Sequence, residues 1–200
     1  MQPTTLFDPQ TGERKYLNAI ERERFLSEAQ YQDKDIKYFS LLIYYTGCRL
    51  NEALETTPAR VDYGNNTVTF RTLKQGTDRA GNPKLRYRSI EVPEPFLIGL
   101  NDAYGVKKKQ REDKHRDSPI WTFTDRTGQN YVKRIMEQAD IKGKKACAKG
   151  LRHAIGVALA MNKVPLIHIK EILGHTDISK TQIYTYLLGK ERREMVSRTW

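Results

Sequence analysis

DIKYFSLLIYYTGCRLNEALE, residues 35–55, is the stretch on which the fold turns. Ile36, Phe39, Leu41, Leu42, Ile43 and Tyr45 make residues 35–46 apolar nearly all round, the pattern of a helix buried in a core rather than laid on a surface. Gly47 then offers the left-handed conformation that ends such a helix. A short third helix, RLNEALE, follows at once, so Arg49 opens the helix after Gly47.

Toward the N-terminus, LNAIERERFLSEA predicts a helix. Asn18 is a good N-cap and Glu21 sits three residues on, the arrangement of a capping box. Ile20, Phe25, Leu26 and Ala29 give it a narrow apolar stripe. Before it, Pro3, Pro9 and Gly12 without periodicity read as an arm. Toward the C-terminus the period changes. Asp62 to Asn66 is turn chemistry, and TVTFRTL (67–73) has strand-like density of β-branched and aromatic residues. LRYRSIEV (85–92) sets Leu85, Tyr87 and Ser89 against Arg86, Arg88 and Glu91, so a small antiparallel sheet is expected among helices.

Helices resume after Pro95. The run VKKKQREDKHRD (106–117) reads as solvated loop or helix ends. A helix within 121–141 turns Tyr131, Ile135 and Met136 inward. The basic linker 142–150 leads to three short helices at 151–162, Pro165–Leu173 and Ile178–Leu187. The fold class expected is α+β, mostly helical, with the sheet inserted.

With 200 residues the chain is one domain's length, or two small ones. It is 38% hydrophobic and 30% charged, with mean hydropathy −0.71. No apolar run approaches the roughly 20 residues that span a bilayer, and the first residues lack a signal-peptide layout. Cys48 and Cys147 are too few for a disulfide framework or a zinc site, and read as packing thiols. Net charge is +11, and its distribution is uneven: residues 1–60 hold 8 basic and 9 acidic groups, residues 61–200 hold 27 and 15. A basic field of this kind attracts polyanions, nucleic acid being the commonest.

Four segments hold reactive groups in glycine-marked surroundings: TGCRLNEAL (46–54), TLKQG (72–76), KGLRHAIGVALA (149–160) and LGHTDISKTQIYTY (173–186). They pool Arg49, Lys74, Lys149, Arg152, His153, His175, Tyr184 and Tyr186. Cations, imidazole and phenols without a carboxylate cluster suit an anionic phosphodiester transition state. They do not suit glycoside hydrolysis, which needs paired carboxylates, and no GxxxxGK[ST] loop is present. Each residue alone has a blander reading. Arg49 caps a helix or pairs with Glu52, His175 caps a helix C-terminus, and His153 packs behind Arg152.

The order of these motifs, with 23 residues from Arg152 to His175 and nine from His175 to Tyr184, closely resembles the tyrosine recombinase (phage integrase) family. The resemblance covers roughly residues 15 to 190. It implies that Arg49 and Arg152 are the two catalytic arginines and that Lys74 is the hairpin lysine protonating the leaving 5′ oxygen. It further implies that His175 hydrogen-bonds the scissile phosphate and that Tyr184 is the nucleophile, Tyr186 being the competing candidate two residues on. Glu52 matches the family's acidic residue. Lys149 stands where the H-x-L-R-H form of the motif has histidine, and an amine of ordinary pKa near about 10.4 is a poor base at neutral pH.

The implied activity is site-specific cutting and rejoining of duplex DNA through a 3′-phosphotyrosyl intermediate, with no metal, cofactor or ATP. Implied partners are double-stranded DNA, further copies of the chain in a tetramer on paired sites, and accessory DNA-bending proteins, in the cytoplasm at the nucleoid. A DNA-binding regulator that kept the fold, and a topoisomerase IB-like relaxing enzyme, remain as alternatives. The expected organisation is an N-terminal arm (1–15), a catalytic domain (16–188) and a tail (189–200) that docks on a neighbouring subunit or folds back. The helical core-binding domain usual in the family has no counterpart in the 15 leading residues, so a compact recombinase and an excised catalytic domain both stay open.

Overall fold

The capping box predicted at Asn18 starts the first helix, α1 (Ala19–Gln30): the Asn18 side chain accepts from the Glu21 N–H, and the Glu21 carboxylate accepts from the Asn18 N–H. The computed structural model describes residues 6–72 and 86–185. Lys74, Tyr186 and the tail 189–200 lie outside them. Phe25 and Ala29 of the α1 stripe are fully buried, whereas Ile20 is 67% exposed, so only the C-terminal half of the stripe faces the core.

Helix α2 (Lys34–Thr46) is the central element, buried at Ile36, Phe39, Leu41, Leu42, Ile43 and Tyr44. It packs against α1 and two later helices, α7 (Asp125–Gln138) and α8 (Ala148–Met161). Gly47 ends it at φ 61°, and α3 (Leu50–Leu54) follows with Arg49 as its N-cap. Gly128 lets α7 approach closely, since a Cβ there would stand 2.8 Å from the Phe39 ring.

Strands β1 (Val61–Asp62), β2 (Thr67–Arg71) and β3 (Tyr87–Glu91) form the expected antiparallel sheet, in chain order, with Val68 opposite both Val61 and Ile90. One face is not as the alternation suggested. Tyr87 is 57% exposed, while Arg88 and Ile90 turn inward. The cause is a buried carboxylate, described below, that draws the Arg88 guanidinium beneath the sheet.

Helix α4 (Glu94–Tyr104) begins one residue before Pro95, which fills its first turn, where a missing N–H costs nothing. The charged run forms two single turns, α5 (Val106–Lys109) and α6 (Asp113–Arg116), anchored by buried Val106 and by the Gln110 amide on the carbonyls of Pro58 and Val61. Then come α7 and α8, α9 (Leu166–Leu173) and the short α10 (Ser179–Gln182). The leading segment is held in place: Phe7 pairs with Arg14, Lys144 binds Asp8 at 2.6 Å, and Leu6 and Tyr16 are buried beside Ile155, Leu173 and Tyr184. Among the described residues no helix is long and apolar enough to cross a membrane.

Candidate active site

Helix α9 stops at Gly174, φ 62°, with the Gly174 N–H on the Glu171 carbonyl and the His175 N–H on the Lys170 carbonyl. Such a C-terminus leaves carbonyls without helical partners and carries the negative end of the helix dipole. Three arginines meet it. Arg88 Nε donates to the Ile172 carbonyl at 3.0 Å, Arg152 Nη2 to that of Leu173, and Arg49 Nη2 to that of Gly174 at 3.1 Å. Arg152 Nη1 also donates to the Gly47 carbonyl at 2.8 Å, so one guanidinium ties the end of α2 to the end of α9. Gly47 must be glycine on two counts, its φ and the crowding of Leu173 and Ile155 against any Cβ.

These cations surround one carboxylate. Glu52, with its side chain fully buried, receives Arg49 Nη1 at 2.7 Å, Arg88 Nη2 at 2.6 Å and the Arg49 backbone N–H at 2.8 Å. Burial works to raise its pKa. The hydrogen bond and charge of Arg88, the Arg49 N–H and the Arg49 charge outweigh it and hold the carboxyl below the usual range. Arg152 is lowered by burial and by the nearby charge of Arg49 to about 10, and so stays protonated at neutral pH. Cys48, close by, is inert: burial pushes its thiol up to about 12.

Tyr184 lies in a slot on α8. Its ring is wholly buried against Gly156, where any Cβ would clash with the ring, within 2.7 Å of three of its atoms. Its hydroxyl is 3.2 Å from His153 Nδ1, and its ring lies parallel to that of His175 with centroids 6.5 Å apart. Burial, opposed in part by the charge of Arg152, pushes the phenol up to about 12. His175 Nδ1 is 2.9 Å from the Thr181 hydroxyl. Burial and the charges of Arg152 and Arg49 lower His175 to about 3; burial and the charges of Lys149 and Arg152 lower His153 to about 4. Both imidazoles are therefore neutral at pH 7.

This neutrality has a measurable consequence. Between about pH 6.5 and pH 4 the unfolded chain binds protons at these two histidines and the folded chain does not. Stability is accordingly full above pH 6.5 and falls on acidification, by up to about 1.4 kcal/mol per pH unit for each histidine. His175 is only partly buried, so solvent screens its contribution more than that of His153. Urea unfolding across this range checks the expectation: a His153→Gln, His175→Gln double variant shows the shallower dependence.

In front of Arg49 and Arg152 opens a cleft of about 700 Å³. Lys149 and Cys147 line it from the start of α8, and Arg126, Gln129, Asn130 and Lys133 line it from one face of α7. Among the described residues its wall carries five cations and no carboxylate. The structure places five of the six residues carried over from the motifs around the end of α9: Arg49, Lys149 and Arg152 on the cleft, His175 on a second pocket beside Gly174 and Arg88, and Tyr184 buried against α8. Lys74 falls outside the described residues. The motifs gave Arg88 no role and His153 only that of packing behind Arg152; in the structure His153 also faces the Tyr184 hydroxyl.

Comparison with known proteins agrees with the motif order. The profile of the phage integrase family matches residues 15–191, and the chain belongs to that family. The tyrosine recombinase XerD of Agrobacterium fabrum is 31% identical over 168 residues, covering 78% of this chain and 50% of that protein. XerH site-specific recombinase, solved bound to its difH substrate, has the same fold: TM-score 0.71 at 20% identity, over 98% of this chain and 56% of that one. The catalytic domain of bacteriophage HP1 integrase matches with TM-score 0.62 at 20% identity, over 92% of this chain and 95% of that domain. The chain spans about half the length of the curated relatives it matches.

Proposed function

We propose that the chain is the catalytic part of a tyrosine recombinase that cuts and rejoins double-stranded DNA by transesterification. The observation that carries this reading is the convergence of Arg49, Arg152 and His175 on the end of α9, with a buried tyrosine stacked against that histidine. Arg49 and Arg152, held by carbonyls and Glu52 on their inner sides, stabilise charge on the non-bridging oxygens of the scissile phosphate. Preorganised donors cost no rearrangement at the moment of reaction, which is why they are worth more than the same groups in water. His175, neutral, serves as a hydrogen-bond donor to the same phosphate in the tautomer that carries its proton on Nε2, in which Nδ1 accepts from the Thr181 hydroxyl 2.9 Å away.

Tyr184 attacks phosphorus. The Oη–phosphorus bond forms as the phosphorus–O5′ bond breaks; the phenol loses its proton and O5′ gains one. We assign exchange of the tyrosine's proton to Lys149, and protonation of O5′ to Lys74 by resemblance alone. One phosphodiester replaces another of similar energy, so no nucleotide triphosphate is consumed. A phenol raised to about 12 and shut from solvent does not react where it lies. DNA binding must draw the segment around α10 out of its slot, which exposes Tyr184 and lets its pKa fall. Further copies of the chain assemble on paired DNA sites, and the basic excess beyond residue 60 makes binding salt-sensitive.

Covalent capture tests this. Wild-type protein is incubated with a pool of nicked duplexes of randomised sequence and resolved on a denaturing gel. A DNA-linked band is expected for wild type and none for Tyr184→Phe, which still binds DNA. The phenylalanine variant keeps its fold, since it loses one hydrogen bond worth about 1 kcal/mol. A band that persists in Tyr184→Phe, or is lost only in Tyr186→Phe, contradicts the assignment. DNA binding without a band in wild type favours a regulator when the duplex carries the cognate site.

A further inference from the structure

We propose that Arg88 is a positioning residue for this reaction, setting Arg49 through Glu52 and His175 through the end of α9. The inference rests on the recombinase reading above. Arg88 comes from β3, distant in sequence from the catalytic motifs, and its side chain is 9% exposed. A guanidinium has five N–H donors in a rigid plane, and four hydrogen bonds are made here to described residues. Nη2 and Nη1 reach the two Glu52 oxygens at 2.6 and 3.2 Å, Nη1 also reaches the Thr72 hydroxyl at 3.1 Å, and Nε reaches the Ile172 carbonyl at 3.0 Å.

The geometry leaves Arg88 no fork with which to grip a phosphate. It does not line the cleft that holds Arg49, Lys149 and Arg152; it lines a second pocket, with Gly174 and His175, where its remaining edge meets the turn after α9. What it holds is the group that holds Arg49: Glu52 Oε1 receives both Arg88 Nη1 and Arg49 Nη1. On its other side it packs against Gly174, where a Cβ would stand 2.7 Å from Arg88 Nη1, and His175 is the next residue. One guanidinium therefore fixes the spacing between α3, which carries Arg49, and the turn that carries His175. Lysine keeps a charge there but offers no planar fork, so it cannot hold Glu52 and Ile172 at once.

The test uses Arg88→Lys, which keeps a cation beside buried Glu52, at a temperature where both proteins are folded. Single-turnover cleavage is measured at saturating protein, with DNA Kd measured separately. Two substrates are compared, the natural phosphodiester and a methylphosphonate at the scissile position, which lacks the anionic oxygen that Arg49 meets. The expected result is cleavage slower by about 10²-fold on the phosphodiester, the scale of a small misplacement of a reacting group, with unchanged Kd. On the methylphosphonate the gap between the proteins narrows. Equal rates on the phosphodiester overturn the role of Arg88 and leave the recombinase reading standing. The same slowing on both substrates makes Arg88 merely structural and also overturns the proposal. Wild type forming no adduct on any substrate overturns the recombinase reading, and this proposal with it.

Discussion

Arg152→Ala is expected to slow strand cleavage by about 10²–10³-fold or more, the cost of losing one preorganised donor to a developing oxyanion. The same substitution is expected to cost about 2–4 kcal/mol of stability, because it leaves the Gly47 and Leu173 carbonyls without their partner in a buried place. The two losses separate by measurement: single-turnover cleavage at a temperature where the variant is folded, and urea unfolding without DNA. Arg152→Lys sharpens the point. It keeps the charge, yet a point charge cannot reach two carbonyls on two helices and a phosphate together, so most of the rate loss remains. Full cleavage by Arg152→Lys would show that charge alone suffices and that the two-carbonyl clamp is incidental.

Glu52→Ala is expected to have the largest effect on stability, about 3–5 kcal/mol, because it leaves two partly buried guanidiniums facing one another without their carboxylate. The contrast lies in this chain's own surface pairs. Lys108 and Glu112 stand 4.0 Å apart with the lysine side chain 84% exposed, and breaking such a pair costs at most about 0.5 kcal/mol. Urea unfolding at pH 7 compares Glu52→Ala with Glu112→Ala. The folded fraction of Glu52→Ala also cleaves more slowly, since among the described residues Arg49 keeps only the Gly174 carbonyl as a side-chain partner. A loss below about 1 kcal/mol for Glu52→Ala would mean that water, not Glu52, neutralises the cluster.

The architecture was largely legible because its decisive signals are local. An all-round apolar helix ending in glycine, a capping box at Asn18 and a change of period after Val61 each rest on neighbouring residues. The structure carries all three. The candidate site was legible for another reason: its motifs keep their order and spacing along the chain, so Arg49, Arg152, His175 and Tyr184 could be named before any of them was placed. What could not be read were contacts between distant segments. Nothing in LRYRSIEV says that Arg88 turns under the sheet, because the cause, Glu52, is 36 residues away. The alternation of the strand itself holds, with Tyr87, Ser89 and Glu91 outward and Arg88 and Ile90 inward; the distant charge decides which face is the inner one.

On the same ground, the contact of His153 with Tyr184 could not be read. Beside Arg152 the histidine reads as packing, and its tie to the Tyr184 hydroxyl depends on Gly156 leaving room for the ring. The same glycine makes the room in which the Tyr184 ring is wholly buried. Ile20 erred in the opposite sense: apolar and in phase with the stripe, it lies beyond the edge of the core in the first turn of α1. Periodicity states which residues share a face, but not where the neighbouring helix ends.

The central claim is that Tyr184, now buried on α8, becomes the atom-bearing link between this chain and DNA. The most direct measurement is to isolate the covalent adduct of wild-type protein with a nicked duplex, digest both components, and locate the nucleotide-bearing tyrosine by mass spectrometry. The prediction is a 3′-phosphoryl remnant on Tyr184 and an unmodified Tyr186. A remnant on Tyr186, or on any residue other than Tyr184, would contradict the account.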